Sequence, residues 1–353
     1  MLLNRRQVLT ATGVVGASML IGTGQAAAEP KGWLGWLAGN RDHVGVVLDD
    51  GRGGRLSHRP HQEQPLASAV KVVHAAGYAF AVEQGRVEPD EEVRVGDWEK
   101  YYVGLDGGAH QASLTDLGIP FSNGLTADDP DRLVPLDDLV KVALLHSDNA
   151  ASDFVRTRVG DAVLRAAALR CGWPGPDARS IVGEMLMLIL PERAPADPSR
   201  RKRVGDELAA RLLTDTNFQL EVIGRFPHLP ATYDGQRPWA RQTWHGSAAH
   251  LHRVHRSIAG GRFPAARTHL ERAFAGSLPP GVKGIGFKGG SLPGVLTLAF
   301  SVRWEDGRVG TGVLLAEEVD EPMSTQVGAL VDLTLGALLD PAALRELRGA
   351  VVG

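Results

Sequence analysis

Cysteine is almost absent from the 353-residue sequence, which contains only Cys171. A single thiol has no partner for an internal disulfide, so we expect core packing alone to stabilise the folded chain. Tandem repeats and long low-complexity tracts are also missing from the sequence. The length therefore suits one large domain, or two lobes that share a core.

A long hydrophobic run is missing as well. The N-terminal apolar stretch, residues 8–21, is too short and too rich in glycine and threonine for a membrane span, which needs about 20 apolar residues. Paired arginines, Arg5 and Arg6, precede it, and small residues up to Ala28 follow. This pattern predicts an export signal of the twin-arginine type, cleaved after Ala28. An uncleaved amphipathic anchor is the alternative.

Excess positive charge is the third absence. Removal of residues 1–28 takes away two of the 38 basic residues and none of the 41 acidic ones, which leaves a net charge near −5. That charge argues against nucleic acid and against an anionic membrane surface as partners. We expect residues 29–353 to form the exported domain, in the periplasm, at the cell wall or outside the cell, and we assume a monomer.

Two β-rich segments flank a helical middle. Residues 44–49 alternate in the manner of a strand, a glycine-rich turn follows, and residues 55–58 return as a second strand. Residues 284–318 contain three more strand patterns, separated by two turn sequences. These five strands most simply form one antiparallel sheet, because neither group makes a stable sheet alone.

The expected fold is therefore of the α+β class. A five-stranded antiparallel sheet is built from residues 43–64 and 281–345, and a mostly helical lobe, residues 65–280, is inserted between them. We expect a cleft where the lobes meet. A last helix, near residues 324–339, should close the chain, and residues 191–203, rich in proline and charge, predict an exposed loop.

An isolated lysine, Lys71, lies in a small and apolar segment, residues 64–80, that predicts a buried helix. Ser68 stands one helical turn earlier on the same face. Because burial penalises an ammonium group, we expect the pKa of Lys71 to fall toward the working pH. Such a lysine can accept the proton of a serine hydroxyl and make it a nucleophile. A lysine that snorkels from a helix end gives the same spacing.

Two further motifs support the catalytic interpretation. The sequence SDN occupies residues 147–149 after an apolar helical stretch, and KGG occupies residues 288–290 on an edge-like strand. The order S-x-x-K, S-D-N, K-[ST]-G resembles the penicillin-recognising serine enzymes, which include class A β-lactamases, D,D-peptidases and related esterases. The resemblance covers nearly all of the chain after residue 28, because the hairpin before Ser68 and the C-terminal strands also match that fold.

The resemblance implies a role for each matching residue. Ser68 corresponds to the acylated nucleophile and Lys71 to the group that activates it. Ser147 corresponds to the hydroxyl that relays a proton to the leaving nitrogen. Asn149 would bind substrate and orient Lys71, while Lys288 would hold positive charge near Ser147 and the substrate carboxylate.

The third motif also implies an oxyanion hole, and it departs from the family pattern. The backbone N–H groups of Ser68 and Ser291 would bind the oxyanion, beside the substrate-binding Gly290; one such donor is worth about 3 kcal/mol of transition-state stabilisation. Gly289 stands where relatives have threonine or serine, so one hydroxyl near the substrate is missing. Ser291 offers a replacement.

A second departure concerns the base that clears the acyl-enzyme. Class A enzymes carry a glutamate in an E-x-x-L-N loop, where it activates the deacylating water. Glu184 lies near the corresponding position, but residues 180–192 predict a helix and lack the asparagine. Two alternatives stay open, a catalytic base and a structural acid.

The resemblance implies an exported serine hydrolase that acts through an acyl-serine on amide-type substrates, either small molecules or peptidoglycan-like chains. A D,D-peptidase, an esterase, and a non-turnover penicillin-binding, cell-wall-binding or sensory module are the alternatives. Four histidines in residues 245–255 lack the i, i+4 spacing of helical zinc sites, so we expect no metal and no cofactor.

Overall fold

The computed structural model of the protein describes residues 32–353. The predicted export signal and its cleavage site at Ala28 lie outside these residues. Within them, no helix has both the length and the hydropathy that crossing a membrane requires.

Within residues 32–353, nine strands build one large sheet and two small ones. In chain order they are β1 (Val44–Asp49), β2 (Arg55–His58), β3 (Gln64–Pro65), β4 (Glu92–Arg94), β5 (Leu133–Pro135), β6 (His245–Gly246), β7 (Val282–Leu292), β8 (Val295–Trp304) and β9 (Val309–Glu317). The large sheet is antiparallel, with the order β2-β1-β9-β8-β7. The predicted five-stranded sheet, drawn from both ends of the chain, is confirmed, and with it the α+β fold class.

Most helices lie between β2 and β7 in the chain. In chain order the helices are α1 (Trp33–Gly39), α2 (Lys71–Glu83), α3 (Val95–Glu99), α4 (Ala109–Asp116), α5 (Leu136–Leu145), α6 (Asn149–Val159), α7 (Asp161–Arg170), α8 (Ile181–Ile189), α9 (Pro198–Thr214), α10 (Thr216–Arg225), α11 (Tyr233–Ala240), α12 (Ala248–Ala259), α13 (Pro264–Glu271), α14 (Glu321–Ser324), α15 (Val327–Leu339) and α16 (Pro341–Val352).

Apolar side chains cover both faces of the large sheet. Its central strands are buried along nearly their whole length, so they carry apolar residues on both faces rather than on one. Helices α1, α15 and α16 enclose one core with the first face. Helices α12 and α13 pack on the other face, where the core continues into the helical lobe.

Two local predictions were wrong. The chain does not close at α15, because α16 follows it. The loop predicted for residues 191–203 ends early, since α9 begins at Pro198 with Asp197 as its N-cap. Proline fits the first turn of a helix, where its missing N–H costs nothing. The charges of this segment lie along a helix, and one of them, Arg201, is almost fully buried.

Candidate active site

Ser68 lies in a strained turn rather than inside a regular α-helix. The turn is a short 3₁₀ helix, Ala67–Val70, that leads directly into α2. Ala67 has a φ of +46°, which side chains other than glycine rarely adopt. The indole N–H of Trp244 donates to the Ala67 carbonyl. The Thr297 hydroxyl donates to the carbonyl of Leu66 at 2.8 Å. Such strain persists only where surrounding contacts hold it, and it concentrates at functional sites.

Lys71 is the first residue of α2, and its side chain is completely buried. Its ammonium donates to the Ser147 carbonyl, to Ser147 Oγ at 3.1 Å and to Asn149 Oδ1 at 2.7 Å. Burial lowers the pKa of Lys71 to about 7, although nearby Asp148 and Asp106 partly offset it. This agrees with the expectation from the sequence. Near neutral pH a substantial fraction of Lys71 is a free amine, which keeps two N–H donors and presents one lone pair.

The Ser147 hydroxyl bridges two lysines. It accepts from Lys71 and from Lys288, each at 3.1 Å. A hydroxyl oxygen has two lone pairs, so both acceptor positions are used and its own O–H remains available to donate. Ser147 has a φ of +65° in the link between α5 and α6. The geometry therefore presents a serine O–H donor that two basic groups can reprotonate.

Lys288 lies on β7, the edge strand of the large sheet, and is completely buried. Its ammonium also donates to the Gly289 carbonyl at 2.8 Å. Burial first, and then the charge of Lys71, hold the pKa of Lys288 well below its ordinary value. Two buried lysines thus share one hydroxyl, and a nearby anion such as a substrate carboxylate would favour their charged forms.

Gly290 brings β7 against the turn that carries Ser68. A Cβ at this position would overlap the backbone nitrogen of Ser68 and the side chains of Ala67 and Thr297. Only glycine allows the strand to approach so closely. Ser291, the next residue, is partly exposed beside this contact. The structure thus joins Lys71, Ser147, Asn149 and Lys288 by hydrogen bonds and places Gly290 against the turn that carries Ser68.

Glu184 borders this cluster, but its carboxylate is bound elsewhere. It lies on α8 and is completely buried. One oxygen accepts from Arg179 at 2.7 Å, and the other accepts from Arg201 at 2.5 Å. The next residue, Met185, contacts the Asn149 amide through its sulfur at 3.8 Å. The carboxylate thus forms ion pairs with two buried guanidinium groups, which is an arrangement typical of a structural acid.

We expect Glu184→Gln to lower the free energy of unfolding by about 3 kcal/mol, because it removes the carboxylate partner of buried Arg201 and one of the two carboxylates that bind Arg179. Denaturant titration measures the change. The matched control is Glu207→Gln, which removes the exposed ion pair with Arg203 and should cost at most about 1 kcal/mol. Unchanged stability in Glu184→Gln, together with an acyl adduct that no longer clears, would instead identify Glu184 as the deacylation base.

Several residues that position the site carry no local signal in the sequence. Trp244 stands 177 residues from Ala67, whose carbonyl it binds. His110, which binds Asp148 of the SDN motif, lies in a glycine-rich stretch that predicts only a loop. Among residues 32–353, no group of three or more His, Cys, Asp or Glu side chains is arranged to hold a metal ion.

A protein-family model matches the sequence, and solved structures match the fold. Residues 34–215 match the model of the β-lactamase enzyme family. No curated protein sequence matches the chain significantly.

Three solved structures share the fold at low sequence identity. A β-lactamase from Sphaerobacter thermophilus DSM 20745 has a TM-score of 0.54 at 14% identity, over 90% of this chain and 95% of that one. A double mutant of the class A β-lactamase from the last common ancestor of Gram-negative bacteria has a TM-score of 0.52 at 17% identity, over 87% and 97%. A β-lactamase from Chitinophaga pinensis DSM 2588 has a TM-score of 0.50 at 15% identity, over 82% and 92%.

Proposed function

The chain belongs to the β-lactamase enzyme family, and from that membership we propose that it is a serine hydrolase that acylates Ser68. The substrates are amides of the penicillin or peptidoglycan type. The observation that carries the proposal is the buried Lys71, whose pKa of about 7 and contacts with Ser147 and Asn149 suit proton transfer beside Ser68.

Acylation follows from the groups in place. Ser68 Oγ attacks the carbonyl carbon while the free amine of Lys71 takes the hydroxyl proton. The carbonyl oxygen becomes an oxyanion, which the backbone N–H groups of Ser68 and Ser291 bind. When the C–N bond breaks, the leaving nitrogen takes the Ser147 proton, and the Lys71 ammonium, 3.1 Å away, replaces that proton. Lys71 returns to its free amine, ready for the next acylation.

Intact-protein mass spectrometry with a penicillin tests this proposal. Opening of the β-lactam ring expels nothing, so we expect the protein mass to rise by one whole penicillin. Peptide mapping should place the adduct on Ser68. If neither a penicillin nor an activated ester leaves an adduct or a hydrolysed product, the chain is not an acyl-transfer enzyme.

One observation favours slow turnover, as in a D,D-peptidase or a penicillin-binding sensor. Hydrolysis of acyl-Ser68 needs a base within hydrogen-bond reach of the attacking water. Both oxygens of the Glu184 carboxylate are already bound to Arg179 and Arg201. We expect the penicilloyl adduct to remain the main species after free penicillin is removed. Rapid multiple turnover by the unmodified protein would contradict this expectation.

We also propose that the chain acts outside the cytoplasm. The support is the sequence pattern of residues 1–28, with its paired arginines and small-residue end. N-terminal sequencing of the exported protein should begin at residue 29. Export that continues after both Arg5 and Arg6 are replaced by lysine would point to the general secretory route instead.

A further inference from the structure

A buried histidine, His110, lies between two carboxylates beside the SDN motif. Its Nδ1 is 3.0 Å from Asp148 Oδ2, and its Nε2 is 3.2 Å from Glu99 Oε1. His110 and Asp148 are completely buried, and Glu99 is nearly so. Ionised carboxylates only accept hydrogen bonds, so each ring nitrogen must carry a proton to satisfy both partners. The geometry is that of a buried imidazolium.

The surroundings of His110 hold the ring in one orientation. Tyr102 stacks on it with ring centroids 4.3 Å apart, and Trp98 meets it edge-on at 4.9 Å. Asp106 accepts from the His110 backbone N–H at 2.9 Å. Glu99 also accepts from the Ala127 backbone N–H at 2.7 Å, which fixes that carboxylate. His110 is thus the cation among three acidic side chains from α3, the loop before α4 and the SDN motif.

Asp148 connects this cluster to the catalytic groups. Its second oxygen, Oδ1, accepts from the Ala151 backbone N–H at 2.8 Å and so caps α6. Its chain neighbours, Ser147 and Asn149, both accept from Lys71. A shift of the Asp148 carboxylate therefore moves both residues relative to Lys71.

We propose that His110, as an imidazolium, is a positioning residue that fixes Asp148 and thereby sets Ser147 and Asn149 against Lys71. The inference rests on the proposed function of those residues. Loss of the ring charge would leave Glu99 and Asp148 sharing one donor, and would leave Lys71 as the remaining basic group near Asp148 and Asp106. The SDN segment would then loosen and proton transfer through Ser147 would slow.

The charge state has a defined pH dependence. Burial opposes the imidazolium, yet Asp148 and Glu99 raise the pKa of His110 from 6.5 to about 9, while burial and the charge of Asp148 raise the pKa of Asp106 to about 6. A raised histidine pKa stabilises the fold fully below pH 6.5, and the gain is lost as pH rises to about 9. Because the pKa of Lys71 is lowered to about 7, its contribution to stability rises with pH above 7. Only a comparison with a His110 variant therefore isolates the contribution of His110 to stability.

His110→Gln tests the proposal, because the glutamine amide has one donor group and one acceptor oxygen where the imidazolium has two donor nitrogens, and it carries no charge. The melting temperature of the native protein should exceed that of the variant most at pH 6, and the difference should shrink toward pH 9.5. We expect acylation of Ser68 by penicillin to slow about 10- to 100-fold, as for a displaced catalytic group. The control is His250→Gln, since His250 also stacks on an aromatic ring, Trp173, but lies on α12. This variant should have the acylation rate of the native protein.

Two readouts do not depend on turnover. NMR titration of labelled histidine in the native protein should place the His110 imidazole pKa well above 6.5, and titration of the Lys71 ammonium should differ between native protein and His110→Gln. If no adduct forms at all, the proposed function fails while these titrations still decide the role of His110. An imidazole pKa at or below 6.5, or a His110→Gln variant with native acylation rate and Lys71 titration, overturns the inference.

Discussion

Ser68→Ala should abolish every covalent adduct with β-lactams and activated esters while leaving the fold intact. The substitution removes the one oxygen that forms the acyl bond, and no neighbouring group replaces it. The fold should tolerate the change because Ser68 is partly exposed in a turn whose backbone is held by Trp244 and Thr297. Intact mass spectrometry measures the adduct, and circular dichroism with a melting curve measures the fold.

A serine far from the site provides the control for Ser68→Ala. Ser57 is exposed on β2, and Ser57→Ala should acylate at the native rate. An adduct that persists in Ser68→Ala and maps by peptide mass to another residue would show that Ser68 is not the nucleophile.

Lys71→Arg should slow acylation by well over a hundredfold. Arginine stays protonated at any accessible pH, so it cannot take the Ser68 proton, and general-base catalysis alone contributes about 10²–10⁴-fold. The native acylation rate should rise as pH passes through about 7, where burial places the pKa of Lys71. That rise should be missing from the variant. Rapid-quench mass spectrometry across pH 5.5–9 gives both measurements.

A partly exposed lysine supplies the matched substitution. Lys202 forms surface ion pairs with Asp161 and Asp206, and Lys202→Arg should leave acylation unchanged. A Lys71→Arg variant with near-native acylation would mean that Lys71 is a packed side chain and that another group activates Ser68.

The sheet was predictable because its signals are local. Period-two alternation marked residues 44–49, and glycine-containing turns separated the other strand patterns. The same kind of reasoning was wrong for the segment that begins α9, since its prolines and charges are typical of loops. The partner that buries Arg201 is Glu184, 17 residues away on another helix. Local composition does not record such a pairing.

The motif residues of the site were predictable from the sequence, whereas the residues that hold those motifs in place were not. Spacing alone placed Lys71 one turn from Ser68, and burial then accounts for its lowered pKa. The 3₁₀ geometry of the Ser68 turn was not expected, because it depends on contacts from Trp244 and Thr297 across the fold. The carboxylate partners of His110 were unpredictable for the same reason.

The contact between Gly290 and the Ser68 turn joins two segments that are synthesised at different times. A ribosome makes Ser68, Lys71 and Ser147 long before it makes the strand that carries Gly290 and Lys288. Strand β1, which precedes Ser68 in the chain, pairs with β9, the last strand of the sheet. A growing chain therefore contains Ser68 before it contains the strand that packs against the Ser68 turn. The arrangement of residues around Ser68 is therefore complete only after synthesis has passed residue 317.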